Sequence, residues 1–257
     1  MLGRLAASVA PMVTRLFRTL AYLIVGSVIA TACSSGGGDA AEVLDGPLLD
    51  TDVVTLQTEI ASAMGAVTSV RFEVERDEAP VFIDQAESIS LNNILGTFEV
   101  PGSANAILGV TVNDSLNTEL GAIAIDEEVW LTNPVTGQFE TLPPGFDIDP
   151  SLFFDPVNGW QPLIADLTDM TFVAQVDRDG ATRYQLTGTA PAERMQSITA
   201  GLVRGQDVDL DIWVHPVTAE VSELEFNTTF NSATSAWSIT LSEYGEDFDI
   251  SPPDLDG

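Results

Sequence analysis

Ser69-Val-Arg-Phe-Glu-Val-Glu75 alternates from Val70 onward: Val70, Phe72 and Val74 are apolar, whereas Arg71, Glu73 and Glu75 are charged. Successive side chains of a strand point to opposite faces, so this stretch reads as a β-strand with one face in a core and the other in water. The same rhythm returns along most of the chain. Phe98 and Val100 alternate with Thr97 and Glu99; Leu108, Val110 and Val112 follow, then Ile123 and Ile125, then Val129 and Leu131. Later come Met170, Phe172, Ala174 and Val176; Tyr184 and Leu186; Val208, Leu210, Ile212 and Val214; Leu224, Phe226 and Phe230; and Trp237, Ile239 and Leu241. Turn signals stand at Asn133-Pro-Val-Thr-Gly137, Leu142-Pro-Pro-Gly145 and Asp177-Arg-Asp-Gly180. About eleven strands with one polar face predict an antiparallel sheet covered on one side only.

Helical spacing interrupts the strands at a few places. Asp50-Thr-Asp52 offers an N-cap, and Val53, Leu56, Ile60, Met64 and Val67 recur at steps of three and four, which predicts a core-facing helix ending near Gly65 or Ala66. Asp149-Pro-Ser-Leu-Phe-Phe154 predicts a helical turn and Pro162-Leu-Ile-Ala-Asp-Leu167 a short helix. Pro191 suits the first turn of a helix running to about Ala200, with Met195, Ile198 and Leu202 on one face and Gly201 as its stop. The class is therefore α+β, mostly β: a single large sheet with an N-terminal helix and short helices. About eleven strands in one sheet must curl or close, and helices lying across the concave face would leave an apolar cleft there. No internal boundary interrupts residues 50–257, which read as a single domain.

Charge narrows the function. The 257 residues carry 39 acids against nine bases, a net charge of −30; all nine bases are Arg, and six of them follow Cys33. Such a surface repels phosphate backbones, which sets nucleic acid aside as a partner. It is also the composition of proteins that stay dispersed in high salt, so a salty habitat is expected. One Cys and one His leave no disulfide within the chain and no Cys/His zinc cluster. No metal and no cofactor are expected.

Residues 1–32 read as an address rather than fold. Arg15 and Arg18 precede the apolar run Leu20-Ala-Tyr-Leu-Ile-Val-Gly-Ser-Val-Ile-Ala30, which is too short for a permanent span of roughly 20 residues. Ala30-Thr-Ala-Cys33 resembles the lipobox of bacterial lipoproteins, in which the thiol of the Cys takes a diacylglycerol and the new N-terminus is often acylated. That resemblance implies a signal peptide over 1–32, an acylated Cys33 with a Ser/Gly-rich tether over 33–49, and an exported protein held by lipid on the outer face of the cell membrane. Two or three chains anchor firmly, whereas one is marginal.

Residue by residue, catalytic chemistry finds little footing. His215 precedes Pro216 in a predicted hairpin turn, and no Gly-x-Ser-x-Gly motif accompanies it. Asp207, Asp209 and Asp211 share one strand face, where alternate side chains stand about 6.6 Å apart, so they read as a solvated face rather than a calcium site. Glu127 and Glu128 are adjacent and read as a turn. The inward set Phe72, Phe98, Val110, Ile123, Leu210, Ile212 and Ile239 either lines a cavity or fills a dry core; the pattern itself allows both.

The order of these features resembles a known family, the lipid-binding bacterial lipoproteins of the LppX/LprA/LprF/LprG type. Ser69 to Val74 is similar to its first strand after the N-terminal helix. Val129-Trp-Leu-Thr-Asn-Pro-Val-Thr-Gly-Gln-Phe139, with Leu142-Pro143, is similar to its central hairpin. Asp149-Pro150, Leu152 and Asp155-Pro-Val-Asn-Gly159 resemble its helical insertion. Tyr184-Gln-Leu-Thr-Gly188, Val208-Asp-Leu-Asp-Ile-Trp-Val214 with His215-Pro-Val-Thr218, and Ile239-Thr-Leu-Ser-Glu-Tyr-Gly245 with Ile250 and Pro252 complete the series. The resemblance implies a half-barrel, similar to the LolA and LolB carriers, whose helices cover a hydrophobic cavity lined by the inward set. It implies an acyl lipid or glycolipid as non-covalent ligand, bound or carried within the envelope with no catalytic residues. The expected partners are that lipid, the membrane through the acyl anchor and a membrane transporter, and the expected state is a monomer. The other expectation is a solid-core structural or interaction lipoprotein that presents its acidic surface to a protein partner.

Replacing Cys33 by Ser is expected to move the exported protein from the membrane to the soluble fraction, read by fractionation of expressing cells. Undiminished membrane retention of Cys33→Ser would rule out the acyl anchor.

Overall fold

The computed structural model describes residues 42–43, 52–125, 128–142, 154–199 and 201–255. Its elements run β1 (Glu42–Val43), α1 (Val53–Gly65), β2 (Ser69–Glu78), β3 (Val81–Phe82), β4 (Ile89–Glu99), β5 (Ser103–Val112), β6 (Leu116–Ile125), β7 (Glu128–Thr132), β8 (Phe139–Thr141), α2 (Trp160–Ala165), β9 (Thr168–Arg178), β10 (Ala181–Ala190), α3 (Ala192–Ile198), β11 (Val208–Val214), β12 (Val221–Phe230) and β13 (Ala233–Ser242). The strands form one open antiparallel sheet in the order β1-β9-β10-β11-β12-β13-β2-β4-β5-β6-β7-β8, with β3 beside β4. Most neighbours in this order are hairpins, which is why short turns suffice between them. The closure of the two halves comes from β2, which leaves α1 and inserts between β4 and the last strand, β13.

Alternation assigns the faces. Inward residues align across strands in rows. One row runs Leu241, Phe72, Gly96, Ala106, Ala122, Leu131; the next runs Ile239, Val74, Ile94, Leu108, Leu120. The first row narrows to Gly and Ala in its middle. A Cβ on Gly96 would lie 2.5 Å from both the Asn105 carbonyl oxygen and the Phe72 ring, so only glycine fits there.

The helices cover this face. Leu56, Ile60 and Met64 of α1 are buried, as their spacing requires. The Gln57 amide donates to the carbonyls of Ile164 (2.8 Å) and Leu167 (3.0 Å), tying α1 to the end of α2 and the turn after it. In α2, Trp160, Leu163 and Ile164 are buried, while Pro162 sits in the first turn, where its missing N–H is harmless. Tyr244 closes the other end of α1. Its hydroxyl donates to the Val221 carbonyl and lies 3.8 Å from Met64 Sδ, and burial, with Glu220 nearby, holds its pKa well above the usual phenol value.

Some expectations are corrected. Phe230 ends β12 beyond the core and is 74% exposed. Glu128 opens β7 rather than sitting in a turn. The helical turn expected at 149–154 falls mostly outside the described residues, as do the acylation site and the tether.

The outer face is acidic. Asp211 stands directly opposite Glu225, Glu225 opposite Ser238, and Ser238 opposite Glu75. Like charges opposed across a ladder destabilise it. Salt shortens the range of that repulsion from about 10 Å at 0.1 M to about 3 Å at 1 M. Melting temperature should therefore rise with NaCl, by several degrees, since each kcal/mol moves a domain of this size by about 2–4 °C. Asp211→Asn should reduce that rise. A melting temperature independent of salt would show that the outer carboxylates do not strain the sheet.

Candidate functional site

Between the inner face and the end of α3 lies a seam. Its floor is Ala104, Ala106 and Leu108 of β5 with Ala122 and Ala124 of β6. Phe72, Ile94 and Ile239 form one wall, and Val129, Leu131 and Leu142 the other. Ile198, Thr199 and Leu202 close it from above. The small side chains of β5 and β6 hollow the sheet, and the α3 segment fills the hollow. The free volume left is about 50 Å³. One water needs about 10–15 Å³ of such space, so there is room for only a few waters and the seam is nearly filled by its own side chains. The lining is almost wholly apolar, so nothing there favours ordered water.

The cover is built by local hydrogen bonds. The Thr199 hydroxyl donates to the Met195 carbonyl at 2.6 Å and accepts from the Val203 amide at 3.0 Å. Val203 is buried, Leu202 only partly so. Gly201 and Gly205 adopt φ of +82° and +68°, the left-handed region that glycine reaches freely. They bracket Leu202, Val203 and Arg204 in a tight loop. Asp207 accepts from the Ala192 amide at 3.0 Å and so ties the start of α3 to the strand beyond it.

The residues expected inside distribute as follows. Phe72 and Ile239 border the seam. Phe98 is buried nearby under α2, its ring 4.8 Å from Phe154, which in turn is 6.4 Å from Trp160. Val110, Leu210 and Ile212 are buried on the same face, opposite Leu91, Phe226 and Leu224, but do not border the seam. Ile123 is not part of it: it pairs with Asn105 and Trp130 on the outer face, and Ala122 and Ala124 point inward instead. Both registers of Gly121-Ala-Ile-Ala-Ile125 are apolar, so alternation alone does not say which faces the core. The small residues at alternate positions of β5 and β6 were the usable signal. Cys33 lies outside the described residues.

The outer face holds an open trough of about 540 Å³ bordered by Glu75, Asp77, Asp209, Asp211 and Glu225. Beside it Arg178 bridges Glu223 and Glu225, both at 2.5 Å, and its guanidinium stacks 3.8 Å over the Trp213 ring. Burial raises the Glu223 pKa against the opposing pull of Arg178. Among the described residues, no group of three or more His, Cys, Asp or Glu side chains converges to hold a metal ion. His215 is a turn residue: its Nδ1 accepts from the amides of Val217 (3.2 Å) and Thr218 (3.1 Å).

Fold and seam together define an open antiparallel sheet with an apolar inner face under short helices. The LppX_LprAFG lipoprotein family model matches residues 52–250, and the chain belongs to that family. Among solved structures, LprF from Mycobacterium bovis is similar with a TM-score of 0.60 at 15% identity, covering 78% of this chain and 96% of that one. Lipoprotein LppX from Mycobacterium tuberculosis follows with 0.56 at 14% identity, covering 79% and 100%. These likenesses concern the fold. No curated protein is a significant match in sequence.

The seam has a direct test. Leu202→Ala should raise uptake of an apolar fluorescent dye by the native protein, and Ala122→Leu should lower it. Unchanged uptake in both would mean that the inner face is solid.

Proposed function

We propose that this protein is a lipid-anchored envelope lipoprotein that binds the acyl chains of a lipid between the inner sheet face and the α3 segment, and carries that lipid within the envelope. The observation that carries the proposal is the apolar hollow of small residues under a short, locally tied cover, in a chain of the LppX_LprAFG family. Binding requires the cover to lift. Burying a chain of about 15 methylenes gains on the order of 12 kcal/mol. Exposing Ile198 and Leu202 forfeits roughly 3–6 kcal/mol of that. The remainder, roughly 6–9 kcal/mol, is of the same order as the cost of association and ordering, so a single chain of this length is near the threshold and a second chain would carry the balance. The steps are extraction, shielding and handover, with no covalent change. The anchor on Cys33 would keep the pocket near its donor bilayer.

One observation favours a second reading. The free volume of about 50 Å³ is also what a finished core contains. In that case the protein is structural, and its acidic outer face meets a protein partner.

Native mass spectrometry of the full chain, extracted in detergent from expressing cells, separates the two. Extra mass that organic solvent releases, identified as acyl lipid, is expected beyond the covalent acyl groups. A clean mass that stays clean when lipids are offered would overturn carriage and leave the solid core.

A further inference from the structure

The outer face changes character across the sheet. One cross-strand row runs Thr240, Glu73, Leu95, Ile107, Gly121. Its first two side chains are polar. The next two are apolar and stand in water, Leu95 45% and Ile107 50% exposed. Beyond them the Phe139 ring of β8 reaches back over Gly121, with Cζ 3.1 Å from where a Cβ would stand. Ile123 and Trp130, a directly opposed pair, continue the apolar surface on the same face. Apolar side chains scattered singly over a surface are ordinary, whereas a contiguous set marks a contact surface.

The register says what form an occupant takes. β4 is paired to β2 and β5, and β5 to β4 and β6, so the backbone under Leu95 and Ile107 has no open edge. No strand can be added there. An occupant has to arrive with its own backbone bonds made and offer side chains, which is what a helix does. Charge gives its chemistry. Glu73 is the direct cross-strand partner of Leu95, and Glu75 stands two residues on. Both are exposed, and neither is ion-paired among the described residues. The arginines of this face are already engaged, Arg71 with Glu243 and Arg178 with Glu223 and Glu225. The chain has no lysine to offer. A second copy would set these carboxylates against its own, and an anionic bilayer would be repelled, whereas cations beside an apolar stripe are complementary.

We propose that this face docks a cationic amphipathic helix of a partner protein, with the apolar stripe of that helix over Leu95, Ile107 and Phe139 and its basic flank over Glu73 and Glu75. The docking is independent of what the inner face holds, so its failure leaves the lipid-binding reading untouched, and the reverse.

The probe is a helical peptide of leucine and lysine whose leucines lie along one side. Anisotropy of the dye-labelled peptide is read against the full chain in a nonionic detergent, with detergent alone as blank. The wild-type protein should bind the peptide, more weakly as NaCl rises. Leu95→Thr and Ile107→Thr should each weaken binding about three- to tenfold. Both put a β-branched residue on a strand, so melting temperature should hold. Glu73→Gln together with Glu75→Gln should weaken binding about fivefold at low salt and little at high salt. A peptide with glutamate in place of lysine should not bind. Equal affinity of the wild type and all these variants overturns the proposal, because the peptide then sits elsewhere, the seam included. So does the absence of binding to the wild type. Equal binding of a lysine peptide whose leucines are scattered around the helix removes the apolar half and overturns it as well. A concentration-dependent dimer that Ile107→Thr abolishes would overturn it in favour of a second copy. Crosslinking of a photoreactive phosphatidylcholine to β4 and β5 at Leu95 and Ile107 would overturn it in favour of the bilayer surface.

Discussion

One apolar sheet face has to be covered, and among the described residues three short helices and their connecting loops are what covers it. Everything else follows from that constraint. The sheet is continuous, so its inner face cannot be divided between two cores. The longest helix, α1, docks at one end, fastened by Gln57 to the carbonyls of α2 and by Met64 beside Tyr244 and Val221. What remains over β5 and β6 falls to the end of α3 and the loop after it. Ten-residue strands outreach a seven-residue helix, so cover is thinnest there. The alanines of β5 and β6 make the hollow, and the end of α3 with the loop after it fills it.

The outer face obeys the opposite rule. Water solvates each carboxylate, but the ladder fixes their spacing, so repulsion is built into the register at Asp211 and Glu225. Arg178 offsets part of it by bridging Glu223 and Glu225 while lying flat on Trp213. The two faces thus divide the work: the inner one stabilises through burial, and the outer one keeps the protein dispersed.

Much of the fold was legible because it depends on period and punctuation. The stripe Leu56, Ile60 and Met64 fixed the face of α1, and Asp177-Arg-Asp-Gly180 became the turn between β9 and β10, with Asp179 and Gly180 both at positive φ. The turn at His215-Pro-Val-Thr218 likewise follows from residue chemistry. The site was less legible. Large apolar residues draw attention as cavity lining, so Ile123 was expected inside; cross-strand pairing put it outside and its alanine neighbours inside. A hollow is made by side chains that are small, and their meaning depends on which strands lie beside them. The insertion of β2 beside β13, which sets the wall of Phe72 and Ile239, pairs residues far apart in sequence and has no local signal.

A closed seam is compatible with the proposed binding, because the cover would act as a stand-in for the ligand. An open hollow lined by Ala104, Ala106, Ala122 and Ala124 would expose apolar surface to water. Ile198 and Leu202 fill it when nothing else does. A ligand must therefore bury more than these two side chains release. At about 0.8 kcal/mol per methylene, the roughly 3–6 kcal/mol they contribute corresponds to about four to eight methylenes. Shorter chains gain nothing by displacing the cover, and each further methylene adds to the balance. On the proposed reading, the arrangement would discriminate by chain length without any group that measures length, because the threshold lies in the cover and not in the floor.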